Sequence, residues 1–147
     1  MADTKDMIAD IIENLITEVE EALTLSGDVE YGAKGGGVQQ NLPHVRVVSE
    51  DEHDITPYAV GNADEFTLKF VIVAVNIDLT KSPSAAELDN LYRAADIYDK
   101  IAGTSARKIS AYCKEARPTG LIANYEVESV AGQHSACRVE CYMIKKH

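Results

Sequence analysis

The alternation of apolar and polar positions is clearest in the run Glu65–Leu79, EFTLKFVIVAVNIDL. Its first half alternates as expected for a strand with one buried and one wet face. These residues are Phe66, Thr67, Leu68, Lys69 and Phe70. From Val71 onward the opposite face is apolar as well, through Val71, Val73, Val75 and Ile77. Because the run is longer than an average strand, it predicts a strand that reaches past its own core to a surface covered by another subunit.

Two segments have apolar side chains at spacings of three and four, which predicts amphipathic helices. The first spans about Thr4–Leu25, and Asp3 or Thr4 is suited to cap its start. Its stripe consists of Ile8, Ile11, Ile12, Leu15, Ile16, Val19, Ala22 and Leu23. The second follows a capping box of Ser84 and Glu87 and runs to about Ala102. Its predicted stripe consists of Leu88, Leu91, Tyr92, Ala95, Tyr98 and Ile101.

The remaining alternating segments predict shorter strands. His44–Ser49 is one of them, with Val45 and Val47 on a shared face. Ser105–Thr119 favours a short strand, with a helical turn as the alternative, and Pro118-Thr119-Gly120 is expected to end it. The chain then predicts a hairpin. Its parts are the strand Leu121–Val130, the turn Ala131–Ser135 and the strand Ala136–Ile144.

Two longer polar stretches predict loops. Tyr31–Gln40 contains three consecutive glycines, whose backbone freedom disfavours a regular element. It lacks the GxxxxGK[ST] spacing of a phosphate-binding loop, so we expect it to become ordered against a partner. Glu50–Asp64 is rich in carboxylates but lacks the EF-hand spacing, which predicts a solvated acidic loop.

The order of elements predicts the fold class. It reads helix, strand, strand, helix, strand or turn, strand, strand, within one domain of residues 1–147. Neighbouring strands are joined directly, so we expect a mostly antiparallel sheet of about four to five strands. Each helix has a single apolar stripe, so both helices should pack on one face of that sheet. The prediction is an α+β fold.

The net charge of −10 narrows the choice of partners. Tight binding to nucleic acid needs Lys and Arg to displace counterions, whereas an anionic surface is compatible with a passage along which DNA slides. Much of the negative charge lies in the first helix, where it predicts a solvated face. The acidic N-terminus argues against a secretory signal peptide. No apolar run approaches the roughly 20 residues of a membrane helix.

The three cysteines are the main candidates for chemistry. Cys137 and Cys141 are four residues apart in a predicted strand, about 13 Å, which is too far for a disulfide. Free, mostly buried thiols in a reducing compartment are therefore expected. With His134 they read H-x2-C-x3-C, but a structural zinc site usually needs four ligands in two tight pairs, so core packing is favoured.

Nucleophilic catalysis has weak support in the sequence. A pairing of Cys113, Cys137 or Cys141 with one of His44, His53 and His134 stays open as an alternative. No GxSxG motif is present. We therefore expect no catalytic residue, no cofactor and no metal, and a protein that is not an enzyme.

The layout resembles the tail terminator, or tail-completion, proteins of long-tailed bacteriophages and prophages. The resemblance rests on an order of elements across nearly the whole chain and on no diagnostic motif. The carrying features are the acidic N-terminal helix, the run Leu42-Pro43-His44-Val45-Arg46-Val47, the linker to Glu65–Leu79, the helix Ala85–Ile101 and the hairpin ending in Cys141-Tyr142-Met143-Ile144.

The resemblance implies a structural virion protein without catalytic residues. Such proteins form a ring, usually a hexamer, that caps the tail tube, stops its polymerisation and joins the tail to the head connector. The implied partners are further copies of the chain, the tube protein, the connector or neck protein, and DNA that passes through the lumen without sequence-specific binding. No membrane is involved. The implied location is the virion tail or neck, after assembly in the host cytoplasm.

A ring is a heterologous assembly in which one surface of each subunit meets a different surface of the next. The apolar face of the long strand and the two loops are the expected contact regions. The candidate interface residues are Val71, Val73, Val75, Tyr31, Lys34, Gln39, His53 and Tyr58. The alternatives are another head–tail joining or neck subunit, and a small cytosolic α+β enzyme or ligand-binding module.

Overall fold

A computed structural model describes residues 3–23, 29–31, 44–57, 63–76, 83–122 and 133–146. Its helices are α1 (Thr4–Leu23), α2 (Pro83–Gly103) and α3 (Ala106–Ile109). Its strands are β1 (Val29–Tyr31), β2 (His44–Ser49), β3 (Asp54–Pro57), β4 (Ala63–Asn76), β5 (Cys113–Ile122) and β6 (Gln133–Lys146). The α+β fold class is therefore confirmed.

One sheet contains all six described strands, in the order β1-β2-β4-β6-β5, and β3 pairs with β4 beyond the end of β2. Only the pairing of β1 with β2 is parallel. The central strand β4 pairs with β6 over all 14 of its residues, from Ala63 opposite Lys146 to Asn76 opposite Gln133. The long strand predicted from Glu65 onward is thus the axis of the sheet, and residues 77–79 of that prediction lie outside the described ranges.

Both long helices cover the same face of the sheet, as predicted. Helix α1 contacts β1 and β2 near one edge, whereas α2 contacts β4, β6 and β5. Beneath them the strands contribute a continuous apolar layer that includes Val47, Phe70, Ile72 and Val139. Because cross-strand neighbours such as Phe70 and Val139 share a face, this layer forms the main core with the helices.

Helix α1 has the position and phase predicted from its spacing. The Asp3 carboxylate accepts a hydrogen bond from the backbone N–H of Asp6 at 2.8 Å, which makes Asp3 the capping residue. The buried apolar side chains are Met7, Ile11, Leu15 and Val19. Ile8, Ile12, Ile16 and Leu23 pack beside them at the border of the core.

The predicted stripe of helix α2 was rotated by about one residue. Ala94, Ile97 and Ile101 are buried, while Leu88, Tyr92 and Tyr98 are exposed. The tyrosines misled the prediction because a phenol ring can lie at the surface with its hydroxyl in water. Helix α2 begins at Pro83, a favoured first helical residue. The side chains of the predicted capping box, Ser84 and Glu87, lie outside the described part.

Two short strands replace parts of the predicted loops. Tyr31 ends β1 instead of opening a loop, and β3 lies inside the stretch predicted as an acidic loop. All four side chains of β3 are exposed, and the strand is held by its backbone pairing to β4. Its sequence therefore lacks the alternation of apolar and polar residues from which a strand can be predicted.

The C-terminal hairpin is real, but its first strand starts earlier than predicted. After the single turn of α3, β5 begins at Cys113 and continues through Pro118 and Gly120, which were expected to end the segment. A register shift between Pro118 and Gly120 accommodates the proline. The residues 133–135, predicted as a turn, belong to β6, and residues 123–132 lie outside the described part.

Candidate functional site

The face of the sheet opposite the helices, called here the second face, contains the candidate site. Register places Lys69 opposite Glu140, Val71 opposite Arg138 and Val73 opposite Ala136, all with the parity opposite to that of the core. The second face is therefore charged at one end and apolar at the other, as the two halves of the long strand predicted.

The apolar end of the second face is already buried in the single chain. Val71 is 2% exposed and Val73 is 1% exposed. With Ala136 they form a small second core, bordered by Val48 and Ile122. Burial of these valines therefore occurs without a second copy, and their assignment to a subunit interface stays a prediction. Val75 belongs to β4, but its side chain lies outside the described part.

The charged end consists of ion pairs around a shallow hollow of about 160 Å³. Arg138 Nη1 lies 2.9 Å from Glu50 Oε1, and Lys69 Nζ lies 3.0 Å from Asp54 Oδ2. The hydrogen bond to Asp54 raises the pKa of Lys69. Because the two cations of this wall, Arg138 and Lys69, already face carboxylates, neither cation is left to hold a phosphate.

A chain of hydrogen bonds centred on His53 joins the end of β2 to β4. The imidazole Nδ1 accepts a hydrogen bond from the backbone N–H of Lys69 at 2.9 Å, and Nε2 lies 2.8 Å from Ser49 Oγ. An accepting Nδ1 leaves the ring proton of a neutral imidazole on Nε2, so Nε2–H donates to Ser49. The Ser49 hydroxyl in turn donates to the carbonyl oxygen of Glu50 at 2.9 Å.

This direction of donation is the reverse of what a nucleophilic serine needs, because such a serine donates its hydrogen to the base. The group is instead a structural link. The backbone N–H of Glu50 donates to the carbonyl oxygen of Lys69 at 3.0 Å, so both backbone groups of Lys69 are satisfied where β2 has ended and β3 has not begun. His53 also packs against Phe70, with ring centroids 6.0 Å apart.

We predict that His53→Ala lowers the free energy of unfolding by about 1–3 kcal/mol, because the Lys69 N–H loses its acceptor and the Ser49 hydroxyl loses the hydrogen bond from the ring. Urea denaturation followed by circular dichroism measures the change. The control is Asp51→Ala in the same connection, where the side chain is exposed and the change should stay within about 0.5 kcal/mol. Equal effects of the two substitutions would contradict the assigned role of His53.

The other residues predicted to lie at an interface are only partly described. Tyr31 is exposed at the end of β1. His53 is half-buried in the link just described. Lys34, Gln39 and Tyr58 lie outside the described ranges. Among the predicted residues that the structure describes, Val71 and Val73 lie together in the small second core, and Tyr31 and His53 lie outside that cluster.

The cysteines lie in the core, as favoured from the sequence. Cys137 and Cys141 are buried opposite Ile72 and Leu68 of β4. Burial raises the pKa of the Cys137 thiol to about 11. Cys113 donates to the carbonyl oxygen of Glu115 at 3.2 Å. Hydrogen bonding between the thiols of Cys113 and Cys141 lowers the pKa of Cys113 and raises that of Cys141.

We predict that Cys137 resists alkylation by iodoacetamide in the folded protein at pH 8, because the thiolate is the reacting species. Rapid labelling of Cys137 in the native protein, identified by peptide mass spectrometry, would contradict the prediction.

The raised pKa of Cys137 in the folded state also makes the stability of the protein depend on pH. The thiol is protonated in both states below about pH 9, but above that pH it ionises first in the unfolded chain, so stability should fall by about 2–3 kcal/mol between about pH 9 and 11. Cys137→Ala should make this fall shallower.

A polar cluster between the helices was missed by the sequence analysis. Glu18, predicted to lie on a solvated face, is only 5% exposed. Its carboxylate lies 3.4 Å from Lys100 Nζ and 3.7 Å from Lys108 Nζ, while Asn14 donates to the Ile109 carbonyl oxygen at 2.7 Å. The available signal was the position of Glu18, three residues after Leu15 on the buried side of α1. The cluster holds α1, α2 and α3 together.

The described residues contain no group of three His, Cys, Asp or Glu side chains placed to hold a metal ion. Within the same ranges, no helix combines the length and the apolar character needed to cross a membrane. No family model matches the chain, and the search of curated proteins gave no significant match.

Proposed function

We propose that this chain is a structural subunit of a ring that terminates the tail tube of a long-tailed bacteriophage or prophage. The observation that supports this function is the order of elements on which the resemblance rests. An acidic helix precedes the sheet, a 14-residue central strand is followed by helix α2, and a hairpin with a second 14-residue strand closes the described fold.

The proposed role requires two kinds of contact. Each subunit meets its neighbours through two different surfaces, and the ring as a whole meets the tube protein on one side and the head connector on the other. The net charge of −10 suits a lumen along which DNA moves without being held. The mature location is then the virion neck, after assembly in the host cytoplasm.

The proposal is tested with tail tubes polymerised in vitro from the tube protein of the same phage. Adding the purified chain should shorten the tubes in proportion to its concentration, and electron microscopy should show ring density at one end of each tube. Tubes of unchanged length without end density would overturn the proposal.

Two other outcomes would assign the chain differently. Binding to portal complexes but not to tubes would identify another head–tail joining or neck subunit. A monomer that binds a small molecule, and neither tubes nor portals, would indicate the ligand-binding or enzymatic alternative. Such a protein is expected to have a concave pocket with convergent polar groups. The described hollow at Glu50 and Arg138 is instead shallow and already ion-paired.

A further inference from the structure

Three described strands each have one partner in the sheet. β5 pairs with β6 at one side, whereas at the other side β1 pairs with β2 and the neighbouring β3 pairs with β4. Unpaired strand edges present free N–H and C=O groups, so they either pair with another chain or are protected against such pairing.

The two edges have opposite charges. Residues 50–57, which contain β3, include four carboxylates and no Lys or Arg: Glu50, Asp51, Glu52 and Asp54. Residues 106–122, which contain β5, include four basic side chains against one carboxylate: Arg107, Lys108, Lys114 and Arg117 against Glu115. Glu50 and Asp54 face Arg138 and Lys69, while Lys108 lies near Glu18 and Arg117 near Glu115. The polarity therefore rests mainly on Asp51 and Glu52 against Arg107 and Lys114, all of which are exposed. The edge at β5 is thus basic on a chain whose net charge is −10.

This polarity selects one kind of self-association. A two-fold contact through β5 would bring the basic side chains of two β5 strands near one another, and a two-fold contact through β3 would bring the carboxylates of residues 50–57 near their own copies. Like charges placed together across an interface are strongly disfavoured. A head-to-tail contact, with β3 of one copy against β5 of the next, instead brings opposite charges together.

The strand directions and side-chain faces are compatible with that contact. Successive antiparallel pairings from β3 through β4 and β6 to β5 leave β3 and β5 antiparallel. A copy displaced along the sheet therefore presents β3 antiparallel to β5 of its neighbour. Ile55 and Leu121, opposite Phe66 and Cys137, have the parity of the helix-covered face. Yet they are 62% and 47% exposed, so each edge has an uncovered aliphatic side chain on the same side.

We infer that the partner of each edge is the other edge of a second copy of this chain, so that β3 and β5 join neighbouring sheets head to tail. The inference rests on the proposed ring and specifies the contact from which it is built. Such a contact is heterologous, and it closes into a ring when the rotation between copies allows it. Backbone hydrogen bonds supply the pairing, as in other cases of strand addition, and the edge charges determine which edges meet.

A charge swap tests the inference by light scattering coupled to size exclusion and by sedimentation. Lys114→Glu with Arg117→Glu makes both edges acidic, and Asp51→Lys with Glu52→Lys makes both edges basic. Each double variant should self-associate at least about 100-fold more weakly than the wild type. The quadruple variant, whose net charge equals that of the wild type, should recover assembly. An equimolar mixture of the two double variants should assemble by alternation.

The control is Asp6→Lys with Glu13→Lys on the exposed side of α1, which changes net charge as much as the β3 reversal and should assemble normally. Circular dichroism verifies that every variant is folded. If both double variants formed rings of the same size and stability as the wild type, the inference would be overturned and the proposed ring function would be unaffected. A wild type that stays monomeric, or forms only two-fold dimers, would overturn the inference, while the tube-capping assay judges the function separately.

Discussion

Replacing Ile72 by aspartate is expected to remove most of the stability of the folded chain. Ile72 is fully buried, and its register neighbours are Val47 and Cys137. A carboxylate at this position would lie beneath the helices without a cationic partner, and an uncompensated buried charge costs about 3–5 kcal/mol. Natural domains have about 5–15 kcal/mol in total. Urea denaturation should therefore show an early transition or an unfolded protein.

The control for this substitution is Thr119→Asp in β5, where the side chain is exposed and the expected change stays within about 0.5 kcal/mol. Normal stability of the Ile72 variant would contradict the assigned burial of Ile72 between Val47 and Cys137.

Replacing Phe70 by alanine is expected to cost about 3–5 kcal/mol, the range for a large aromatic side chain removed from a core. Phe70 is 2% exposed, lies opposite Val139 of β6, and contacts the ring of His53. Its removal would leave a cavity in the main core beside Val139 and the His53 ring. The free energy of unfolding from urea or thermal denaturation measures the loss.

Phe66→Ala is the matched control, because Phe66 is on the same face of β4 but only partly buried at the border of the core. Its loss should cost about 1–2 kcal/mol, in proportion to the smaller apolar area removed from contact. If the two alanine variants were equally stable, Phe70 would not be more deeply buried in the core than Phe66, which would contradict the structure.

The sequence predicted the elements whose side chains divide cleanly between core and solvent. Helix α1 and strand β2 have the expected bounds within two residues, and the long strand has the expected change from one apolar face to two. In these elements the buried residues are aliphatic and recur at the period of the backbone, so burial leaves a direct trace in the sequence.

The elements that were missed are held by groups that leave no such trace. β1 and β3 are short, and β3 is fixed by backbone pairing while its side chains are exposed. β5 passes through Pro118 and Gly120, which normally end a strand, because an edge strand tolerates a proline at a register shift. Glu50 pairs with Arg138, which is 88 positions away, and Glu18 pairs with Lys100, which is 82 positions away. No local pattern in the sequence indicates pairs at such separations.

The imidazole of His53 fixes the length of the polar connection between β2 and β3. In an uninterrupted strand pairing, a backbone carbonyl would accept the hydrogen bond from the Lys69 N–H, and here His53 Nδ1 accepts it instead. The distance that the His53 side chain spans therefore sets the spacing from Ser49 to Asp54. Inserting one residue between His53 and Asp54 would slip β3 by one position along β4 and turn Ile55 to the opposite side. The connection between β2 and β3 therefore has a fixed number of residues, although its exposed polar side chains are typical of a surface loop that tolerates insertions.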